Sequence, residues 1–61
     1  MRKEELLGRW NQVRGKVRQR WGKLTEDELN QVQGNWDMLV GKIQEKYGMA
    51  REQVEEELRK M

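Results

Sequence analysis

The sequence predicts a small all-α domain over residues 1–61, built from four helices that form two αα-hairpins packed across each other. Three observations support this prediction: apolar residues recur every three or four positions, one fifteen-residue pattern occurs twice, and proline is absent. The pattern G-x-W-x-x-[VL]-x-G-K-[VI]-x-x-x-[WY]-G begins at Gly8 and again at Gly34, an offset of 26 residues. Internal similarity of this kind indicates one supersecondary unit used twice.

The first helix is predicted over residues 4–21. Its apolar stripe consists of Leu6, Trp10, Val13, Val17 and Trp21. Leu7 widens this stripe on one side. Gly15 lies nearly opposite, and because a mid-helix glycine costs about 1 kcal/mol relative to alanine, either a second element approaches its backbone or the helix bends there. Gly22 follows the last apolar residue and can adopt a positive φ as a C-cap.

The second helix is predicted over residues 26–33, after the clearest local signal in the chain. Thr25 can accept a hydrogen bond from the backbone N–H of Glu28, and the Glu28 side chain can reach back to the N–H of Thr25. Leu24 can pack on Leu29 as a hydrophobic staple. These residues predict a capping box at the start of the helix.

The third and fourth helices are predicted over residues 35–47 and 50–60. The third repeats the first, with an apolar face formed by Trp36, Leu39, Val40, Ile43 and Tyr47. Gly41 occupies the place that Gly15 has in the first copy. Ala50 stands where the first copy has its capping threonine, and this change costs about 1 kcal/mol at an N-cap. We therefore expect the fourth helix to fray at its start more than the second.

Length and composition restrict the class of protein. The chain has 61 residues, of which 34% are hydrophobic and 39% are charged, and a chain this short buries about 60% of its unfolded surface on folding. Cysteine is absent, which excludes disulfides and thiolate metal sites. No apolar run has the length of a signal peptide or a membrane span. We expect a cytoplasmic monomer that does not contact a membrane.

The charges are unevenly distributed. The net charge is +2, but residues 1–24 hold eight Lys/Arg and two Glu, whereas residues 25–61 hold five Lys/Arg and nine Asp/Glu. This asymmetry can draw the two halves together, attract an acidic partner, or support head-to-tail contacts between copies. The simplest interpretation is that these residues form the solvated faces of amphipathic helices.

Enzymatic activity is not expected. Histidine, cysteine and serine are absent, Thr25 serves as a cap, and Tyr47 lies in an apolar stripe. The acidic runs 26–28 and 55–57 are contiguous, so their side chains fan out around a helix. Two carboxylates can still meet across the fold, but solvated faces are the favoured interpretation. No sequence motif indicates a metal or cofactor site.

Nucleic-acid binding is the main alternative function, because basic residues crowd the first helix and alternate with Trp10 and Trp21. A basic helix can follow phosphates while an exposed tryptophan stacks on a base, although the spacing of both tryptophans favours a place in the core. An acidic protein is the other partner considered. The candidate contact residues are Arg9, Arg14, Lys16, Arg18, Arg20 and Lys23.

Two stretches resemble the signature of the CsbD-like proteins, small bacterial proteins of the general stress response. They read WGKLT over residues 21–25 and LVGKIQEKYG over residues 39–48, and Trp10 and Gly15-Lys16-Val17 fit the same signature. The resemblance implies two roughly orthogonal αα-hairpins in a SAM-like arrangement, a cytoplasmic location and a stress-response role. It supplies no catalytic or ligand residue, because no biochemical activity is established for the family.

The chain also departs from that family. Members often extend further at the C-terminus with more aromatic residues, and Leu6, Leu7 and Trp36 are more apolar here than is usual at these places. The wealth of Arg, Glu, Leu and Gln, without Ser, Pro or His, is typical of designed helices. A designed sequence on a CsbD-like backbone, selected for folding alone, is the alternative origin.

Overall fold

The computed structural model describes residues 1–61 and contains helices joined by short turns, without strands. The all-α prediction is confirmed. The chain forms five helices where the sequence predicts four, and the last three begin and end within two residues of their predicted bounds. The helices are α1 (Lys3–Gly8), α2 (Trp10–Arg20), α3 (Glu26–Val32), α4 (Trp36–Tyr47) and α5 (Arg51–Arg59).

The prediction of one continuous helix over 4–21 is wrong, because the chain leaves the helical conformation at Arg9, where φ is −122° and ψ is 28°. Gly8, a weak helix former, immediately precedes this break. The turn before α4 packs against the same place: a Cβ on Gly34 would lie 2.9 Å from the carbonyl oxygen of Leu6 and 2.9 Å from Cα of Leu7. Backbone contact with a distant turn therefore sets the direction of α1, and apolar periodicity does not encode such a contact.

One apolar cluster draws residues from all five helices, and α4 lies at its centre because it packs against α1, α3 and α5. Val13, Tyr47 and Met49 lie partly buried at its margin. The packing of two orthogonal hairpins and the structural duplication stay predictions. The buried cluster comprises Leu6, Trp10, Val17, Trp21, Leu24, Leu29, Val32, Trp36, Leu39, Val40, Ile43, Val54 and Leu58.

The capping box at Thr25 is confirmed. The Thr25 hydroxyl accepts from the Glu28 N–H at 3.2 Å, and the Glu28 carboxylate accepts from the Thr25 N–H at 2.9 Å. Only half of this arrangement recurs at α5, where Gln53 accepts from the N–H of Ala50 at 3.2 Å and Ala50 offers no side-chain acceptor. The first turn of α5 therefore has one capping bond fewer than that of α3.

The expectations for two single residues, Gly22 and Leu7, are wrong. Gly22 does not have a positive φ. The C-cap of α2 is Trp21, with φ −125°, and positive φ values occur instead at Gln33, Gly34 and Gly48. Leu7 does not widen the apolar stripe, because the break at Arg9 turns it outward and leaves it 67% exposed.

The close approach of a second element, one of the two explanations that a mid-helix glycine suggests, holds for neither Gly15 nor Gly41. Both lie within continuous helices, α2 and α4, so the chain does not break there. No neighbouring atom lies within 4 Å of the Cβ that either would carry, so no second element approaches closely. The fold leaves both glycines without a packing role.

Candidate functional site

All three tryptophans are buried, with exposed fractions of 9% for Trp10, 1% for Trp21 and 6% for Trp36. The core interpretation of their spacing is confirmed. Trp36 also donates a hydrogen bond from its indole N–H to Glu55, as buried indoles usually do. None of the three presents a free ring face on which a base can stack.

The six predicted contact residues separate into two groups, of which the first binds within the protein. Arg14 and Arg18 both pair with the carboxylate of Glu26, Arg14 at 2.8 Å. Arg14 also donates to the side-chain oxygen of Asn30 at 2.8 Å. These contacts connect α2 to α3.

Two further basic residues at the end of α2 also have partners. Arg20 pairs with Glu57 of α5 at 3.1 Å, and its guanidinium lies 5.2 Å from the ring centre of Trp21. The Lys23 ammonium lies 5.0 Å from the ring centre of Tyr47, whose hydroxyl accepts from the Lys23 backbone N–H at 3.0 Å. The pairs of Arg14, Arg18 and Arg20 join the basic and acidic halves of the chain, which supports the first interpretation of the charge asymmetry.

Arg9 and Lys16 form the second group. Both are exposed, and neither side chain takes part in an ion pair. Arg9 immediately precedes α2, Lys16 lies within it, and both line the same recess. No Asp or Glu occurs in α2. Glu5 of α1 lines the recess that Arg9 and Lys16 share, but it forms no ion pair with either. We call this side of α2, with Arg9 and Lys16, the basic face.

Two recesses flank Arg9 and Gln12, which line both of them. A groove of about 510 Å³ lies between the start of α2 and the end of α3, with Asn30 and Gln33 on its far side. A smaller recess of about 130 Å³ lies beside Lys16. Sequence reasoning missed Asn30 and Gln33, because nothing in their local pattern indicates that the end of α3 faces the start of α2.

The carboxylates with shifted pKa values are all more acidic than usual. A backbone N–H donated by Thr25 lowers the pKa of Glu28, and the Arg51 guanidinium lowers the pKa of Asp37. The indole N–H of Trp36 lowers the pKa of Glu55. These groups are ionised at neutral pH, whereas a carboxyl that serves as a general acid needs a raised pKa.

The structure contains no group of three or more Asp or Glu side chains arranged to hold a metal ion. None of its helices combines the length and the apolar character that crossing a bilayer requires.

Comparison with known proteins gives several similar bacterial proteins. The chain is 60% identical over 25 residues to a UPF0337 protein of Rhizobium meliloti, a match that covers 41% of this chain and 36% of the relative. It is 52% identical over 29 residues to the UPF0337 protein YjbJ of Escherichia coli, covering 48% and 42%. A UPF0337 protein of Pectobacterium atrosepticum is 46% identical over 33 residues, covering 54% and 48%.

These matches cover less than half the length of each relative. No solved structure matches the chain. The family model described as CsbD-like matches residues 4–56, which include all of α2, α3 and α4. From the extent of this match, together with the UPF0337 relatives, the chain belongs to the CsbD-like family.

Proposed function

We propose that this protein is a non-enzymatic helical domain of the stress-response type that acts as a cytoplasmic monomer by binding an acidic surface of another protein. The basic face carries the proposal, because Arg9 and Lys16 are exposed there and neither forms an ion pair. Membership of the CsbD-like family supports the stress-response part. An acidic surface would supply the missing counter-charges and guide the encounter.

The same observations favour an acidic protein over nucleic acid as the partner. Nucleic-acid binding gains its affinity from many phosphate contacts, and on single strands from aromatic stacking. Here four of the six predicted contact residues bind within the protein, and Trp10 and Trp21 are buried. The two unpaired cations of the basic face are enough to bind a local acidic patch, but they contribute little affinity for a phosphate backbone.

The test is a titration of the protein into a fluorescently labelled Glu-rich helical peptide at low salt. Lys16→Glu should weaken binding by about tenfold or more, because it replaces attraction by repulsion at the basic face. Lys42→Glu, checked for folding by circular dichroism, is the control for net charge. Lys42 also lacks an ion pair, lies half-buried on α4, and its substitution changes the net charge equally. Equal losses from both variants would mean that net charge alone drives binding, and would refute the proposal.

The same titration with a labelled duplex DNA, similar in length to the peptide, tests the nucleic-acid alternative. We expect weak binding to DNA, and submicromolar affinity with a steep salt dependence would favour the nucleic-acid alternative. A sequence selected for folding alone would bind neither probe. That outcome would also count against the proposal.

A further inference from the structure

The groove between α2 and α3 has an unusual lining. Six of its nine lining residues are Arg, Asn or Gln, and none carries a carboxylate. Its volume of about 510 Å³ lies within the range of roughly 300–1,000 Å³ that is typical of small-molecule sites. We propose that this groove binds a small molecule through a phosphomonoester group. The polar residues of its lining are Arg9, Asn11, Gln12, Arg14, Asn30 and Gln33.

Arg14 is held in position before any ligand arrives. One terminal nitrogen of its guanidinium donates to Glu26 and to the oxygen of Asn30, both at 2.8 Å. The guanidinium lies 6.0 Å from the ring centre of Trp10, which forms part of the groove. Its other N–H groups remain available as donors. A side chain fixed in this way loses little conformational freedom when it binds an anion.

Asn30 and Arg9 add donors that the fold does not use. The side-chain oxygen of Asn30 accepts from Arg14, which leaves the amide NH₂ of Asn30 as a donor. Arg9 forms no ion pair, so its charge is uncompensated. Glu26, which neutralises part of the charge of Arg14, is not among the lining residues.

The number and origin of these donors indicate phosphate rather than carboxylate. They lie at the start of α2 and at the end of α3, with Arg9 and Gln33 as the adjoining cap residues. Two of them are guanidinium groups, which match phosphate oxygens bidentately. A carboxylate has two oxygens, whereas a phosphomonoester presents three acceptor oxygens and a charge of −1.5 to −2 near neutral pH. A terminal phosphate can therefore engage both sides of the groove at once.

The experiment is an amide ¹H–¹⁵N NMR titration of the intact chain with inorganic phosphate and then with glycerol phosphate. Sodium chloride keeps the ionic strength constant. We expect saturable shifts confined to residues 8–14 and 30–33, including the Asn30 side-chain amide. Shifts that grow linearly and equal those caused by chloride would overturn the proposal.

Two variants and a control locate the site. Arg14→Gln should weaken phosphate binding by about tenfold or more, because it removes a charge-assisted donor. Arg18→Gln should leave binding within about twofold, since Arg18 also pairs with Glu26 but does not line the groove. Asn30→Asp keeps the acceptor for Arg14 and should abolish binding, because it places a carboxylate in the groove. Equal effects of Arg14→Gln and Arg18→Gln would refute the assignment.

This site and the acidic-partner proposal can fail separately. Lys16→Gln changes the basic face but not the groove, because Lys16 is not among the lining residues. It should therefore leave the phosphate shifts in place. Loss of those shifts in Lys16→Gln would assign the anion to the basic face and overturn the groove as its site.

Discussion

The indole N–H of Trp36 donates a hydrogen bond of 2.8 Å to the carboxylate of Glu55, which joins the start of α4 to the middle of α5. The same carboxylate lies 3.5 Å from Arg51 and 4.0 Å from Arg59. The indole bond is the main reason why the pKa of Glu55 lies below its usual value of 4.5, and the two arginines lower it further. Folding therefore favours the ionised form of this side chain.

This contact predicts a loss of stability in acid. Because the pKa of Glu55 is lower in the folded protein than in the unfolded chain, the unfolded chain takes up the proton first as the pH falls. The stability that ionised Glu55 contributes is complete above about pH 4.5, and it is lost as the pH falls through the pKa of Glu55 in the folded protein. In Glu55→Gln the melting temperature should fall less between pH 6 and pH 3 than in the parent, as measured by circular dichroism.

Glu52→Gln is the control for this prediction, because Glu52 lies on the same helix, is exposed and forms no ion pair. The loss of melting temperature in acid should change less in Glu52→Gln than in Glu55→Gln. Identical acid profiles for Glu55→Gln and the parent would show that the contact with Trp36 contributes nothing to the pH dependence.

Gly34 is predicted to be the glycine least tolerant of substitution. Its φ is +81°, and a Cβ would lie 2.9 Å from backbone atoms of Leu6 and Leu7. Gly34→Ala combines a left-handed backbone with a clash that α1 has to relieve, so it should lower the free energy of unfolding by about 1–3 kcal/mol. Urea unfolding followed by tryptophan fluorescence measures this change. Gly48→Ala is the control, because Gly48 has φ +65° and no close neighbour. It therefore measures the cost of a left-handed backbone without the cost of the clash.

Gly15 and Gly41 should respond in the opposite direction. Both lie within helices, and both have open space where a Cβ would be placed. Alanine at either position should raise the free energy of unfolding by about 0.4–1 kcal/mol, because it restricts the unfolded chain and favours the helix. Thermal melts of the two single variants test this. A decrease in melting temperature would reveal a close contact that the structure does not contain.

The capping residues of α3 and α5 form a matched pair. Thr25→Ala removes the acceptor for the Glu28 N–H and should cost about 1 kcal/mol. Ala50→Thr restores the missing half of the box at α5, where the backbone already has the extended conformation of an N-cap, and should stabilise by up to about 1 kcal/mol. Amide hydrogen exchange in the first turn of each helix locates the effect. If amide exchange in the first turn of α5 is unchanged in Ala50→Thr, a threonine at position 50 does not cap this helix.

Local sequence signals predicted the features that local contacts determine. The capping box needs only Thr25 and Glu28 three residues apart, and the burial of the tryptophans follows from their helical spacing with residues such as Val17. The break at Arg9 could not be predicted in the same way. It accompanies backbone contact with Gly34, which lies 25 residues further along the chain and leaves no trace in the periodicity of residues 4–21.

The candidate site shows the same limit. Composition identifies α2 as basic, but it does not show that Arg14 and Arg18 share Glu26 while Arg9 and Lys16 have no partner. Which cations are free depends on the packing of α2 beside α3. The placement of Asn30 opposite Arg9 across the groove is likewise a property of the folded chain.

The carboxylate of Glu26 has a consequence for selectivity. It is attached to the same chain as Arg14 and Arg18 and needs no association step, so it competes with any external anion at a high effective concentration. When a single carboxylate of a partner replaces Glu26, the free energy of binding changes little, because one ion pair is exchanged for another of the same kind. An anion that concentrates more charge on a small group binds more favourably than a carboxylate does. Glu26 thus acts as an internal competitor at Arg14 and Arg18, and it leaves Arg9 and Lys16 as the cations of this region that an acidic partner can pair with.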